Sequence, residues 1–225
     1  MNKSVFITGT DTEIGKTFFS VQLVRALRAR GERVAVMKPV ASGARRIDGA
    51  LRNDDALALL DAAAAGQAYA TCNPYCFEPP IAPHVAAELA GERIEIERIA
   101  SLARDLSRAA DRLVVEGVGG WRVPLGAEDD VAALARRLGF PVILVVGLRL
   151  GCINHALLTA EAIRRDGVPF LGWVANRIDP AARHVDEMIE TLRRRIDAPL
   201  LAELSHGAGS QVPASLLDRL EVAPS

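Results

Sequence analysis

Apolar runs rich in valine, isoleucine and leucine recur along the chain at 4 to 9, 33 to 38, 112 to 117, 141 to 148, 168 to 176 and 198 to 204. Between most of them the apolar residues fall at helical spacing, which predicts helices over 16 to 30, 55 to 65, 95 to 110, 129 to 139, 153 to 166 and 181 to 195, with a short one near 214 to 221. Val21, Leu23, Val24 and Leu27 stripe the first helix, and Gly167 supplies a stop just past the fifth. Short strands that are apolar throughout need cover on both faces, and their alternation with helices points to parallel pairing. The expected fold is α/β, a parallel sheet with helices on both faces, in a single domain over 1–225. Two stretches break the rhythm: 39 to 54, rich in small and polar residues, and the proline-rich 69 to 84. Both read as loops or excursions serving a site.

Composition narrows the class without naming a chemistry. Half of the 225 residues are hydrophobic, enough to fill one large core. The longest apolar stretch, FPVILVVGL at 140 to 148, is too short to span a bilayer, and the first residues run straight into a strand without a charged start and cleavage site. A soluble, unprocessed protein is expected. A formal net charge of −1 removes the general attraction to nucleic acid and to anionic membrane, so neither is an expected partner. Cys72, Cys76 and Cys152 are an odd number at low density, which suits a reducing cytoplasm. No second Cys/His pair accompanies Cys72 and Cys76, so thiols rather than metal ligands are expected there.

The candidate chemistry begins where the first strand meets the first helix, in GTDTEIGKT at 9 to 17. A phosphate-binding loop belongs at that junction: backbone N–H groups turn inward, the helix N-terminus adds partial positive charge, and Lys16 and Thr17 supply an ammonium and a hydroxyl. The spacing is a variant, with Gly9 one residue further back than usual and Thr10 in the expected glycine place. In a P-loop NTPase-like parallel sheet the ligand lies beyond the carboxyl ends of the strands. There the chain places Lys38 and Ser42 after the second strand, and Glu116 followed by Gly117, Gly119 and Gly120 after the third. Lys38 reads either as a solvated surface charge or as a catalytic cation; Glu116 either as a salt-bridging glutamate or as a Mg²⁺ ligand beside Thr17. Any of Asn53, Asp54 and Asp55 suits a helix N-cap, and a second metal-side carboxylate is the sharper alternative among them. Gly151 to Asn154 open a helix and can take a small anion. NRID at 176 to 179 is similar to the N-K-x-D guanine motif of GTPases, with arginine for lysine.

Taken together, GTDTEIGKT, KPVASG (38 to 43), LRNDDAL (51 to 57), NPYCF with the later PH (73 to 84), VEGVGGW (115 to 121), PVILVV with LGCINHA (141 to 156) and GWVAN (172 to 176) resemble the dethiobiotin synthetases. That family shares the five-residue loop spacing. The resemblance implies an ATP-dependent cyclo-ligase that uses Mg²⁺, 7,8-diaminononanoate and CO₂. By analogy Lys16 holds the β- and γ-phosphates, Lys38 neutralises charge at the carbamate and γ-phosphoryl, and Thr12 and Ser42 orient the substrate. Lys38, Lys16 and Thr12 form the implied catalytic group. Thr17, Asp55 and Glu116 form the implied Mg²⁺ set. Glu13, Ile14, Gly15 and Phe18 of the loop, with Gly117, Val118 and Gly119, complete the nucleotide site, and Asn176 reads adenine with Arg177 beside it. Gly151, Cys152, Ile153 and Asn154 come from the neighbouring subunit to hold the distal carboxylate, implying a homodimer with shared active sites. The family often has proline after the position of Glu203 and Leu204, in the part that covers adenine, where this chain has Ser205 and His206. A competing expectation is a P-loop nucleotide switch of the partition or targeting type; such proteins usually carry a lysine and paired glycines early in the loop, where Thr10, Asp11 and Thr12 stand here.

Overall fold

The computed structural model describes residues 4–207 and 212–222. In chain order its elements are β1 (Val5–Gly9), α1 (Lys16–Ala29), β2 (Val34–Met37), β3 (Val40–Ala41), β4 (Arg45–Ile47), β5 (Ala50–Arg52), α2 (Asp54–Ala63), α3 (Tyr69–Cys72), β6 (Tyr75–Cys76), α4 (Pro83–Leu89), α5 (Ile96–Ala109), β7 (Arg112–Glu116), α6 (Val131–Leu138), β8 (Val142–Gly147), α7 (Cys152–Arg165), β9 (Phe170–Asn176), α8 (Val185–Arg195), β10 (Leu200–Leu204) and α9 (Ala214–Val222). Among the described residues a six-stranded sheet runs in the order β10-β9-β8-β1-β7-β2. Every neighbouring pair in it is parallel.

Alternation along each strand divides the core in two. Phe6, Met37, Leu113, Val115, Leu144 and Val146 face one way, against apolar residues of α5, α6, α7 and α8. Val5, Ile7, Val36, Val114, Ile143 and Val145 face the other way, against Phe19, Leu23 and Leu27 of α1, Leu59 of α2 and Leu216 of α9. Strands apolar at every position are stable only in such a double cover, because one bare face would leave several large side chains in water at about 1.5–3 kcal/mol each. Among the described residues no helix is long and apolar enough to cross a membrane. Charged side chains interrupt the pattern at both ends of β7. Arg112, at the amino end of β7, is fully buried; its Nε donates to Glu32 Oε2 at 2.5 Å and an Nη donates to Glu221 on α9.

The two stretches expected to be loops carry small elements instead. Arg45–Ile47 and Ala50–Arg52 pair antiparallel across Asp48 and Gly49, both at positive φ. Asp-Gly between two short runs is the sequence signal for a two-residue hairpin, and it was present at 48 to 49. β3 pairs with β6 through Val40–Tyr75 and Ala41–Cys76, and so ties the two excursions together. α4 starts on Pro83, whose fixed φ suits the first helical turn. α8 starts at Val185 rather than 181, because Asp179 Oδ1 takes the Ala181 N–H in a turn and His184 is left-handed, at φ 57°.

The strand order reverses around β1, which lies between β7 and β8. The connections leaving β1, β2 and β7 therefore converge beyond the carboxyl edge of the sheet, the position open parallel sheets give to ligands.

Candidate active site

The loop between β1 and α1 is held from below. Ile14 is buried in the core at 1 % exposure, and Asn176 at the end of β9 donates from Nδ2 to the Ile14 carbonyl at 2.9 Å. Gly15 closes the loop at φ 83°, where a Cβ would stand 2.0 Å from Asn176 Nδ2, so both conformation and space require glycine. Glu13 also has positive φ, at 57°. Lys16 folds back over the loop and donates to the Asp11 carbonyl at 2.6 Å. Its burial, and after that the neighbouring Lys38 ammonium, push its pKa down to about 8.

Facing the loop is a second cation held between carboxylates. Lys38, only 4 % exposed, donates to Glu116 Oε1 at 2.6 Å and to Asp55 Oδ2 at 2.8 Å. Burial opposes its charge, but Glu116 and Asp55 outweigh that and hold its pKa above the ordinary lysine value. Desolvation would likewise raise the Asp55 pKa; the Lys38 ammonium and its hydrogen bond hold it below the usual carboxylate value. The surface-charge reading of Lys38 is thus excluded. The three candidates at 53 to 55 separate cleanly. Asn53 Oδ1 caps α2 by accepting from Ala56 N at 3.2 Å, Asp54 pairs outward with Arg45 at 2.9 Å, and Asp55 points inward.

Thr17 Oγ1 donates to Glu116 Oε1 at 2.7 Å, which joins the loop to the carboxylate pair. The second oxygen of Glu116, Oε2, is buried without a hydrogen-bond partner among the described residues. A carboxylate oxygen buried and unpaired is costly unless a ligand completes it. A hydroxyl and two carboxylates of this kind are the hard oxygen donors that Mg²⁺ takes, so the residues present fit that cation.

A cavity of about 810 Å³ lies over these groups. Of the residues singled out in the sequence, Thr12, Glu13, Gly15, Lys16 and Thr17 line it from the loop, Lys38 and Ser42 from the β2 side, Asp55 from α2, and Val118 and Gly119 from the segment after β7. Asn53, the cap of α2, lines it too, as do Ala41, Pro80, Ile81, Ala82, Pro83, Val123 and Pro124, which were not singled out. The signal for four of them was the proline-rich stretch, which names a segment but no residue. Gly117 packs on the sheet, its N–H donating to the Ile7 carbonyl at 2.8 Å, and Phe18 lies against the core on the α1 side.

Other singled-out residues stand apart from this cavity. Arg177 pairs with Asp186 at 2.5 Å and with Glu203 at 3.6 Å. Asp179 is occupied in its own turn. Gly151 and Asn154 are exposed at the start of α7, beside Leu150 at 94 % exposure; Ile153 is half-buried, and Cys152 is buried with its thiol 3.8 Å from Met188 Sδ. Ser205 and His206 follow β10, and positions 208–211 of the expected adenine cover lie outside the described residues. Cys72, Cys76 and Cys152 are free thiols, and no group of three or more His, Cys, Asp or Glu side chains suited to a metal occurs among the described residues. The Mg²⁺-compatible set has two carboxylates and a hydroxyl.

A family model described as an AAA domain matches residues 3–211. The ATP-dependent dethiobiotin synthetase BioD of Aromatoleum aromaticum is 54% identical over 214 residues, covering 94% of this chain and 95% of its own. The protein of the same name from Xylella fastidiosa is 47% identical over 215 residues, covering 96% of this chain and 95% of its own. Among solved structures, a ParA family ATPase from Chlorobium tepidum superposes with TM-score 0.56 at 18% identity, over all of this chain and 94% of its own. The signal recognition particle 54 kDa protein of Aeropyrum pernix, in complex with GDP, superposes with TM-score 0.57 at 18% identity over 97% of this chain, which spans about half of that protein, 49%. At such identities the structural likeness is one of fold, and the fold is that of a P-loop NTPase.

Proposed function

The chain belongs to the ATP-dependent dethiobiotin synthetase family, whose reaction is a step of biotin biosynthesis, and from that premise we propose how its own residues divide the work. The substrates are 7,8-diaminononanoate and CO₂. One amine adds CO₂ and loses a proton to become a carbamate. A carbamate oxygen attacks the γ-phosphorus of ATP and ADP leaves; the second amine then attacks the activated carbonyl, closes the ring and expels phosphate. Such a sequence asks the protein to bring two anions together and neutralise them, more than to form covalent bonds of its own.

Lys16 and the N–H groups of the Glu13 to Phe18 turn hold the β- and γ-phosphates. Lys38 offsets charge on the carbamate and the transferring phosphoryl group, and Thr12 and Ser42 orient the diamine. Thr17, Asp55 and Glu116 would hold Mg²⁺, which supplies charge neutralisation between phosphate oxygens when bound. Gly117, Val118 and Gly119 border the nucleotide. Asn176 reads adenine with the amide capacity left beyond its bond to Ile14, and Arg177 stays with Asp186 and Glu203 at the edge. Gly151, Cys152, Ile153 and Asn154 serve the cavity of a second copy in a homodimer, a reading supported by the exposure of Gly151 and Asn154 and by the place of all four outside their own chain's cavity. The whole chain works as one domain, and three unpaired thiols suit the cytoplasm.

The observation that carries this reading is the Lys38 ammonium, buried between Asp55 and Glu116 on the wall facing the phosphate loop. A nucleotide-switch role is not favoured, since the partition-type ATPase shares only the fold. The test is ADP release measured with diamine and bicarbonate together and with each omitted. Release that needs both supports the ligase; release at full rate with either missing contradicts it.

A further inference from the structure

The site's two arms, the end of β2 with Lys38 and the start of α2 with Asp55, meet a third segment that no role above uses. Lys38 lies one residue past β2, outside the main sheet's ladder. Its backbone is nonetheless fixed on both sides: its N–H donates to the Cys72 carbonyl at 2.8 Å, and its carbonyl accepts from Asn73 Nδ2 at 2.7 Å. The other Nδ2 proton goes to the Tyr75 carbonyl at 3.1 Å. Two carbonyls can only accept, so the amide orientation of Asn73 is determined, with Oδ1 turned toward Tyr69.

Tyr69 closes the circuit. Its hydroxyl donates to Asn73 Oδ1 at 2.8 Å and accepts from the backbone N–H of Asn53, also at 2.8 Å, with the Cys76 thiol at 3.5 Å. Asn53 is the N-cap of α2, two residues before Asp55. The Arg52 guanidinium, 4.3 Å from the ring centroid, covers the phenol. One hydroxyl therefore links the backbone that launches Lys38 to the helix start that launches Asp55. Asn73 is buried at 3 % exposure, where each lost bond leaves a polar group unsatisfied.

We propose that Tyr69 and Asn73 are positioning residues for the phosphoryl-transfer step, fixing the distance between the Lys38 ammonium and Asp55 through a shared hydrogen-bond chain. They touch neither substrate nor nucleotide. Their effect passes through Lys38, and the inference rests on the role given to Lys38 above.

Tyr69→Phe removes a single hydroxyl and keeps the ring under Arg52. It should lower kcat about tenfold, since displacements of a fraction of an ångström at a charge-stabilising group weigh on the transition state, with KM for ATP and for diamine within twofold of wild type. Asn73→Asp, which keeps the acceptor for Tyr69 but loses both donors, should cost kcat at least as much. The double variant should be no worse than Asn73→Asp alone, because both act on one chain of bonds. Arg112→Met, which removes a buried ion pair at the opposite end of the sheet, is the stability control: it should lower Tm further than Tyr69→Phe while keeping kcat within twofold. The proposal is overturned if Tyr69→Phe keeps kcat within twofold, if its loss lies in KM, if the two losses multiply, or if Arg112→Met shows the same fall in kcat. Lys38→Met separates the two levels: full kcat in that variant refutes the role of Lys38 itself, whereas loss there with an unaffected Tyr69→Phe refutes only the positioning chain.

Discussion

At the amino end of β7 the Arg112 guanidinium lies between Glu32 and Glu221; at the carboxyl end of the same strand Glu116 shares the Lys38 ammonium with Asp55 and accepts from Thr17. At each end one buried cation meets two carboxylates, of which at least one reaches solvent. Around Arg112 the fork is used up: Nε and Nη2 go to carboxylates, and Nη1 donates to the Leu220 carbonyl at 3.3 Å. The result fastens α9 to the sheet. Around Lys38 one ammonium meets two carboxylates and the geometry stays open, with Glu116 Oε2 unpartnered among the described residues and a cavity bordering Lys38 and Asp55. A planar guanidinium fills a closed structural pair, while a compact ammonium can exchange partners when an anion arrives. Buried charge alone therefore does not mark a site; unfinished coordination at the carboxyl edge of a parallel sheet does.

The largest expected effect at the open end belongs to the loop lysine. Lys16→Gln should reduce turnover by about 10³-fold or more, because a neutral amide cannot offset charge gathering between the β- and γ-phosphates; near-normal turnover of folded variant would remove the loop from the mechanism. Next come the carboxylates. Asp55→Asn and Glu116→Gln should each raise the Mg²⁺ concentration for half-maximal rate by about tenfold or more, and unchanged Mg²⁺ titrations would make the open end as purely structural as the closed one.

The smallest effect is one of pH. Lys16 in the free protein has its pKa lowered to about 8 against 10.5 unperturbed. Its charge is lost as pH rises through about 8, so kcat/KM for ATP should fall there by about tenfold per unit, while kcat holds to higher pH because bound phosphates restore the charge. Stability moves the other way. Between about 8 and 10.5 the unfolded chain holds a proton that the folded chain has released, so the contribution of Lys16 to stability rises with pH across that window. A flat kcat/KM profile from pH 7 to 10 would contradict the burial of this lysine.

Much of this contrast was legible in the sequence, though unevenly. Apolar runs located the six main strands within one or two residues, because burial on both faces leaves few polar positions to blur them. The loop was legible from its strand-to-helix setting, and Glu116 from its place at a strand end. Lys38 was ambiguous, since a lysine after a strand looks the same whether it is solvated or held by partners 17 and 78 residues away. The β3–β6 pairing was hidden because two-residue strands have no periodicity, and α4 because prolines mask its start. The Asp48-Gly49 hairpin could have been read and was not. Arg112 stood in plain view at the edge of an apolar run, but its partners lie 80 and 109 residues away, beyond any local pattern.

The most direct measurement of the central claim sets Lys38→Met beside Arg112→Met, reading kcat, ATP affinity and thermal unfolding for both. Breaking either buried pair should cost about 3–5 kcal/mol, on the order of 10 °C in Tm. The account predicts that Arg112→Met, assayed where it is folded, keeps kcat within twofold, whereas Lys38→Met loses about 10²-fold or more in kcat with ATP affinity nearly unchanged. Equal kcat losses at the two ends, or a Lys38→Met enzyme that turns over normally, would contradict it.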